Sequence, residues 1–537
     1  MSTSALPTPS SPSSPTTPPV TISPSLRPFL IITTTYLLFT ITDGALRTTT
    51  LLFAYQNNFS PIQLSIIFGF YELSGVVTNV GAGLVGSRLG IKFTLIFGLI
   101  MQIICFSVLF LWNDSYSKLE AIAFVTFAQV LGGVSKDLVK LGGKTVGKLV
   151  TTDDQQSKLF KLVSFLTGFK NSLKGVGYFL GSFLLSQSLE LSLVVNIGIC
   201  CVAFPFALLL DSNLGKVRTG DLKFTDVFRL SNPKLTRLSL ARMFLFMSRD
   251  FWFEIPLPFY LRSPGCNGLN TVCTANSECE VNTSCLSSVC TNNNPSGGCG
   301  GLGLDKVLVG TFLGLYIILY GQVQSWTPQI ITGPLNQTPP NKFTEVMYGF
   351  INVVPTAVMG GVLFWAPWFL DYEVEDMTVT LIVGVVCFAV IFAINSSVHS
   401  YLVVKYAERD KVAVSVGFYY MSNAFGRLFG TVGSGVIYGY VGGYGPDDES
   451  RDGRLGLGWC MVAGSISSII AAALTFGIDD DIGGLKCGRY TCVKERDVYE
   501  EREMIEVGGG GVDDDDNEVE QKKKSGAVVV AVEESKI

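Results

Sequence analysis

Apolar runs of roughly 20 residues recur along this chain, each long enough to cross the hydrocarbon core of a bilayer. Inside a bilayer no water satisfies the backbone, so each run must hydrogen-bond within itself and is read as a helix. Only 15% of the 537 residues are charged and 48% are hydrophobic, too little charge for the surface of a soluble chain of this length. We place about twelve spans, near residues 28–54, 62–86, 93–112, 119–140, 160–186, 189–210, 235–260, 305–326, 344–369, 379–404, 413–441 and 455–477. The fold class expected is an all-α membrane protein with an N-terminal six-helix half at 28–210, a central loop at 211–234 and a C-terminal half at 235–477. The Ser/Thr/Pro-rich segment 1–27 and the charged, Gly-rich segment 478–537 are too poor in apolar residues to bury a core, and both are expected to be disordered.

The basic residues divide the loops into two sets. Arg88 and Lys92 follow the second span, Lys140, Lys144, Lys148, Lys158 and Lys161 surround the next loop on that side, and Lys216, Arg218, Lys223, Arg229 and Lys234 fill the central loop. Lys405, Arg409 and Lys411 join spans ten and eleven, while the opposite loops are nearly bare of Lys and Arg. The positive-inside rule makes the rich side cytoplasmic and puts both tails there. The net charge of −5 says little about the spans, because the acidic excess sits largely in the C-terminal tail. The plasma membrane is the expected location, with a vacuolar or other endomembrane as the alternative.

The exterior loop 262–304 holds six of the thirteen cysteines, Cys266, Cys273, Cys279, Cys285, Cys290 and Cys299. An even number of cysteines in an exterior loop reads as a disulfide framework. A zinc site fits worse: the loop has no C-x-x-C pair, and the only histidine of the chain, His399, lies elsewhere. Asn282, in the same loop, begins an Asn-Thr-Ser sequon and is the candidate for glycosylation.

The spans carry charges that a lipid-facing helix would not keep. Lys170 falls near mid-depth of span five, where an ammonium costs about 3 kcal/mol on insertion scales. It shares a helical face with Thr167, Lys174 and Gly177, bordered by Asn171. Span one carries Tyr36, Thr40, Asp43 and Arg47 on one face, and span two carries Glu72, Asn79 and Gly83. Lys136, Asp137 and Lys140 close span four, Arg242, Arg249, Asp250 and Glu254 lie in span seven, and Arg427 lies in span eleven. Lys136 and Lys140 are near a helix end and are expected to snorkel to the interface. Asp43 and Arg47 are four apart and could pair along their own helix. Asp250 could neutralise Arg249 or a cation on another helix.

We take Arg47, Lys170, Lys174, Arg249 and Arg427 as candidate substrate-binding residues, and Asp43, Glu72 and Asp250 as candidates for charge pairing or proton coupling. Cations outnumber carboxylates in this set, which suits a small anionic substrate; guanidinium forks suit phosphate, arsenate or carboxylate oxygens. An internal echo relates the two halves: Asn171 precedes Gly181, and Asn423 precedes Gly433, by the same offset, with Lys174 and Arg427 between them. The single histidine, and the absence of a hydrolase or phosphate-loop motif, leave no catalytic constellation, so no enzyme, catalytic residue, cofactor or metal is expected.

Between spans two and three, GLVGSRLGIKFTL (83–95) resembles the cytoplasmic loop motif of the major facilitator superfamily at Gly83, Arg88, Gly90, Lys92 and Leu95, with Ser87 at the usual acidic position. Longer stretches, TDGALR (42–47), FYELSGVVTN (70–79), SKDLVKLGGK (135–144), LTGFKNSLKGVGYFLG (166–181), SRDFWF (248–253) and KVAVSVGFYYMSNAFGRLFGT (411–431), resemble the ArsJ-type organoarsenical efflux permeases. The resemblance spans the membrane region and leaves out both tails and the cysteine-rich loop. It implies export of 1-arseno-3-phosphoglycerate, the product of glyceraldehyde-3-phosphate dehydrogenase when arsenate replaces phosphate, and hence arsenate resistance with a functional link to that enzyme. The partners expected are this small anion and membrane lipid, with no nucleic acid, and the chain is expected to be a monomer. Two other functions stay open: an organic phosphate or carboxylate transporter with no preference for arsenic, and a non-transporting receptor or scaffold that uses the exterior loop.

Overall fold

The computed structural model describes residues 26–149, 156–211, 233–264, 283–286, 289–292, 300–332, 334–335, 337, 340–369, 374–406, 412–441, 452–478, 485–487 and 490–493. Six helices form the first half: α1 Leu26–Gln56, α2 Pro61–Leu89, α3 Ile91–Leu109, α4 Lys118–Leu149, α5 Gln156–Gln187 and α6 Leu189–Leu208. The second half holds α7 Pro233–Phe253, α8 Pro256–Arg262, α9 Lys306–Thr332, α10 Lys342–Ile351, α11 Val353–Phe369, α12 Val374–Tyr406, α13 Val412–Val441 and α14 Gly453–Phe476. These fourteen described helices make twelve spans, because two spans are each broken into a pair.

Both breaks have a chemical cause. The seventh span stops at Phe253 and resumes at Pro256, with Pro258 two residues on; neither proline can donate a backbone hydrogen bond, so the ladder cannot run through. The ninth span breaks at Asn352, just before Pro355, which has no N–H to bond the Ile351 carbonyl; the Asn352 side-chain amide donates to Ser468 Oγ at 3.0 Å. Its first piece starts cleanly at Asn341, which forms a reciprocal capping box with Thr344. At the loop that carries the facilitator-like motif, α2 and α3 are joined by Gly90 alone, at φ 90°, a conformation that a residue with a Cβ rarely adopts.

Eight spans are long and apolar enough to cross a membrane by length and composition. Those formed by α1, α5, α7 and α13 fall outside that set, and they are the spans that carry most of the buried charge. They pack together at the centre: α1 against α5 and α7 against α13. The halves meet where α5 packs on α9 and α2 packs on α13, two contacts that a two-fold exchange of the halves interchanges. The α1–α5 contact is backbone on backbone: a Cβ on Gly177 would strike the Ile41 carbonyl. The outer faces present exposed apolar side chains such as Val77, Phe179, Leu315 and Val383, as a lipid-facing surface requires.

Two details differ from the sequence reading. The loop between α8 and α9 contains a two-stranded antiparallel hairpin, β1 Thr283–Leu286 and β2 Val289–Asn292, with Cys285 opposite Cys290. Cys290 is disulfide-bonded; the side chains of Cys266, Cys273, Cys279, Cys285 and Cys299, and Asn282 altogether, lie outside the described residues. The C-terminal segment expected to be disordered contains a second hairpin, β3 Leu485–Cys487 with β4 Tyr490–Val493.

Candidate functional site

The charges of the central helices form two adjoining regions. The first is a lattice of ion pairs across the interface between the halves. Arg427 of α13 is its hub: Nη2 lies 3.0 Å from Glu72 and 2.9 Å from Glu254, and Nε lies 3.0 Å from Asp250. Arg47 of α1 reaches the other way, donating to Glu254 Oε2 at 2.7 Å and to Glu72 Oε1 at 3.4 Å. Each half thus extends an arginine to a carboxylate of the other. Arg249 lies 2.5 Å from Asp250 and 3.6 Å from Glu254. Lys136 meets Glu72 at 3.0 Å. All these side chains are nearly or fully buried. Removing one partner from such a group strands a buried charge and costs roughly 3–5 kcal/mol.

The second region is a cavity of about 110 Å³ between the halves. It lies on the side of the lattice toward the bundle end that carries the basic loops. Tyr36, Thr40 and Asp43 line it from α1, and Thr167, Lys170, Asn171 and Lys174 line it from α5, so the helical faces read from the sequence do point inward. Arg47, one turn farther along α1, lies beyond it, in contact with the ring of Phe68 and outside the cavity wall. From the second half Arg242, Arg249, Glu254, Asn423 and Arg427 reach the cavity. Seven cations and two carboxylates line it.

The cations of the wall are not equivalent. Lys174 pairs with Asp43 at 2.9 Å, and Tyr71 donates a short hydrogen bond to the same carboxylate. Lys140 pairs with Asp137 at 2.8 Å. Arg242 has only neutral acceptors: Asn423 Oδ1 at 3.2 Å, and the Ser396 carbonyl and hydroxyl at 3.3 Å. Lys170 lines the cavity half-buried, with no carboxylate within ion-pair distance among the described residues. Taken with the lattice, eight cations face five carboxylates (Asp43, Glu72, Asp137, Asp250 and Glu254), an excess of three positive charges.

Contacts between the halves lie beyond the cavity at both ends. On the lattice side Tyr55 packs on Phe259, with ring centroids 5.2 Å apart. At the basic end Ser164 and Ser397 share a hydrogen bond of 2.7 Å, and the rings of Phe160 and Tyr401 meet at 5.3 Å, tilted by 60°.

Several expectations are corrected by this geometry. Lys136 and Lys140 do not snorkel: they turn inward, because Glu72 and Asp137 offer anionic partners nearer than the interface. Asp43 and Arg47 do not pair along their helix; each has partners on other helices. Asp250 does both things expected of it, pairing with Arg249 and with Arg427 on another helix. Arg47, Arg249 and Arg427, taken as substrate ligands from depth and charge, each have carboxylate partners, and Arg249 and Arg427 also line the cavity. Arg242 and Glu254 were visible as intramembrane charges, but their place in the wall was not. The polar border residues Asn171 and Asn423, equivalent in the internal echo, both reach the cavity, bonded to Gln324 and Arg242 respectively.

No family model matches the chain, and no curated protein matches it. Solved structures do. A D-xylose–proton symporter superposes with TM-score 0.58 over 85% of this chain and 98% of its own, at 10% identity. The nucleoside transporter NupG gives 0.56 over 85% and 100%, at 12% identity. This chain has the major facilitator fold. A bacterial homologue of the iron transporter ferroportin, in an outward-facing state with soaked iron, gives 0.51 over 83% and 98%, at 11% identity. At these identities the likeness concerns the fold, and in this fold a central site between the halves is where alternating access operates.

Proposed function

We propose that the protein is a secondary active transporter that exports a small organic anion, the organoarsenical 1-arseno-3-phosphoglycerate, and so gives arsenate resistance. The observation that carries the anion reading is Lys170, a cation on the cavity wall with no carboxylate partner among the described residues. Arg242, with neutral partners only, is the second cation free to bind an oxyanion. Guanidinium and ammonium groups in a site shut off from water bind phosphate and arsenate oxygens strongly. In this reading Lys170 and Arg242 take the two charged ends of the substrate, and Lys174 and Lys140 strengthen the field while staying paired. Arg47, Arg249 and Arg427 hold the halves in register through the lattice. Rocking of the halves then presents the cavity to one side and the other.

The arsenical assignment rests on the sequence stretches that resemble the organoarsenical permeases. Those same stretches supply Asp43, Glu72, Lys136, Lys170, Lys174, Asp250 and Arg427. The cavity donors are ammonium, guanidinium, amide and hydroxyl groups, which read oxyanion charge and do not tell arsenic from phosphorus. That favours, as the second reading, an organic phosphate or carboxylate transporter. Both tails would be cytoplasmic, the membrane the plasma membrane, and the exterior loop a disulfide-stapled, glycosylated cap.

Arsenate tolerance of an arsenic-sensitive host, with and without co-expressed glyceraldehyde-3-phosphate dehydrogenase, separates these readings. Tolerance that requires the dehydrogenase supports the organoarsenical. Tolerance without it points to a general oxyanion exporter, and no tolerance with protein in the membrane removes arsenic from the function. Deleting Cys266–Cys299 should leave part of the flux; complete loss with normal membrane insertion would favour the receptor reading.

A further inference from the structure

One buried carboxylate takes no part in the lattice. Glu345, in the first turn of α10, is fully buried, and among the described residues no lysine or arginine lies within ion-pair distance. Lys342, one turn earlier, is turned to the Ile478 carbonyl at 2.5 Å. The helices packed on α10 are α11, α12 and α14. The α11 sequence contains no charged residue, and the only one in α14, Arg454, is at its far end. Thr475 of α14 faces Glu345. From α12, the Asn395 amide, oriented as its neighbours require, donates to Glu345 Oε1 at 3.1 Å. His399, the chain's only histidine, brings Nε2 to 4.0 Å from the same oxygen. Glu345 Oε2 and His399 Nε2 are both buried without a hydrogen-bond partner.

The histidine leads back to the cavity. His399 Nδ1 lies 3.1 Å from the Tyr419 hydroxyl of α13. The Arg242 guanidinium of α7 stands 5.3 Å from the Tyr419 ring centroid, and Arg242 is on the cavity wall. Tyr320 of α9, also on that wall, bonds to Ser396 Oγ, which accepts from Arg242 as well.

Burying a carboxylate oxygen and an imidazole nitrogen without partners is costly, and a proton bound between the two groups, 4.0 Å apart at Oε1 and Nε2, would offset that cost. We infer that Glu345 and His399 form a proton-binding site, linked to the cavity through Tyr419 and Arg242, whose protonation is coupled to anion binding in the cavity. The link to flux rests on the anion reading above. An anion against Arg242 offsets the positive charge that this site faces, so anion and proton bind more tightly together, and by reciprocity each raises the affinity of the other. The carboxylates singled out by depth, Asp43, Glu72 and Asp250, are each held by a cation and are poorer carriers.

The test uses the full-length protein in lipid, followed by infrared spectroscopy through a pH titration. The wild type should show a protonated-carboxyl band at neutral pH that E345Q lacks and E72Q keeps. In H399Q, which leaves the carboxyl in place, the band's titration midpoint should move by about a pH unit or more. A band unchanged in both E345Q and H399Q overturns the inference. Adding 3-phosphoglycerate as a stable probe, with binding followed by calorimetry, should perturb the band in wild type. Binding of the probe with no change in the band overturns the link to the cavity while leaving the anion reading intact. A band lost in E345Q from a protein that binds no 3-phosphoglycerate supports the proton site and counts against the anion reading instead.

Discussion

Arg427 and Lys170 stand on the same cavity wall, yet one touches three carboxylates and the other touches none. The lattice around Arg427 pairs each of its cations with a carboxylate and ties the two halves together; the cavity beside it keeps a cation unpaired among the described residues. The difference teaches that a buried cation serves structure or binding according to whether the fold brings it an anion, and depth in the membrane alone does not say which.

The comparison breaks most severely at the hub. R427A removes the cation that Glu72, Asp250 and Glu254 share, leaving them only Arg47, Arg249 and Lys136, and should cost up to roughly 3–5 kcal/mol, seen as a fall in the midpoint of thermal unfolding in detergent. A midpoint near that of wild type would mean the lattice does not hold the halves. Next is the close contact of the helices that position the wall. G177V drives a side chain into the Ile41 carbonyl and should cost roughly 1–3 kcal/mol, with flux lowered in proportion to the folded fraction. A smaller loss is expected from S164A, which removes the 2.7 Å hydrogen bond to Ser397 at the basic end: about 1 kcal/mol, read by the same unfolding assay. K170A should change stability least, because no partner is left stranded, and should still abolish anion flux in proteoliposomes. Flux retained in K170A would assign binding to Arg242 alone, and a stability loss as large as that of R427A would show that Lys170 has a partner in the lattice.

Much of this was legible in the residues. The inward faces of α1 and α5 follow from helical spacing, and Tyr36, Thr40, Asp43, Thr167, Lys170 and Lys174 are where that spacing puts them. Lys136 and Lys140 misled because a lysine near a helix end has two outlets, the interface and a partner, and the sequence shows only the first. Glu345 was not singled out because it lies close to the start of its span, where a carboxylate ordinarily reaches water; the packing of α12 and α14 buries it fully. The breaks in the seventh and ninth spans are both marked by proline, Pro256 and Pro258 in the one and Pro355 in the other.

By itself the sequence determined that this chain crosses a membrane about twelve times, that its halves are related, and that its centre holds more cations than carboxylates. Those are consequences of composition and period, which act locally along the chain. Which cations are neutralised was decided only by the tertiary structure. Arg47 finds Glu254 across 207 residues and Arg427 finds Asp250 across 177. Such pairing depends on ångström-scale distances between separate helices, and those are set by how the helices pack.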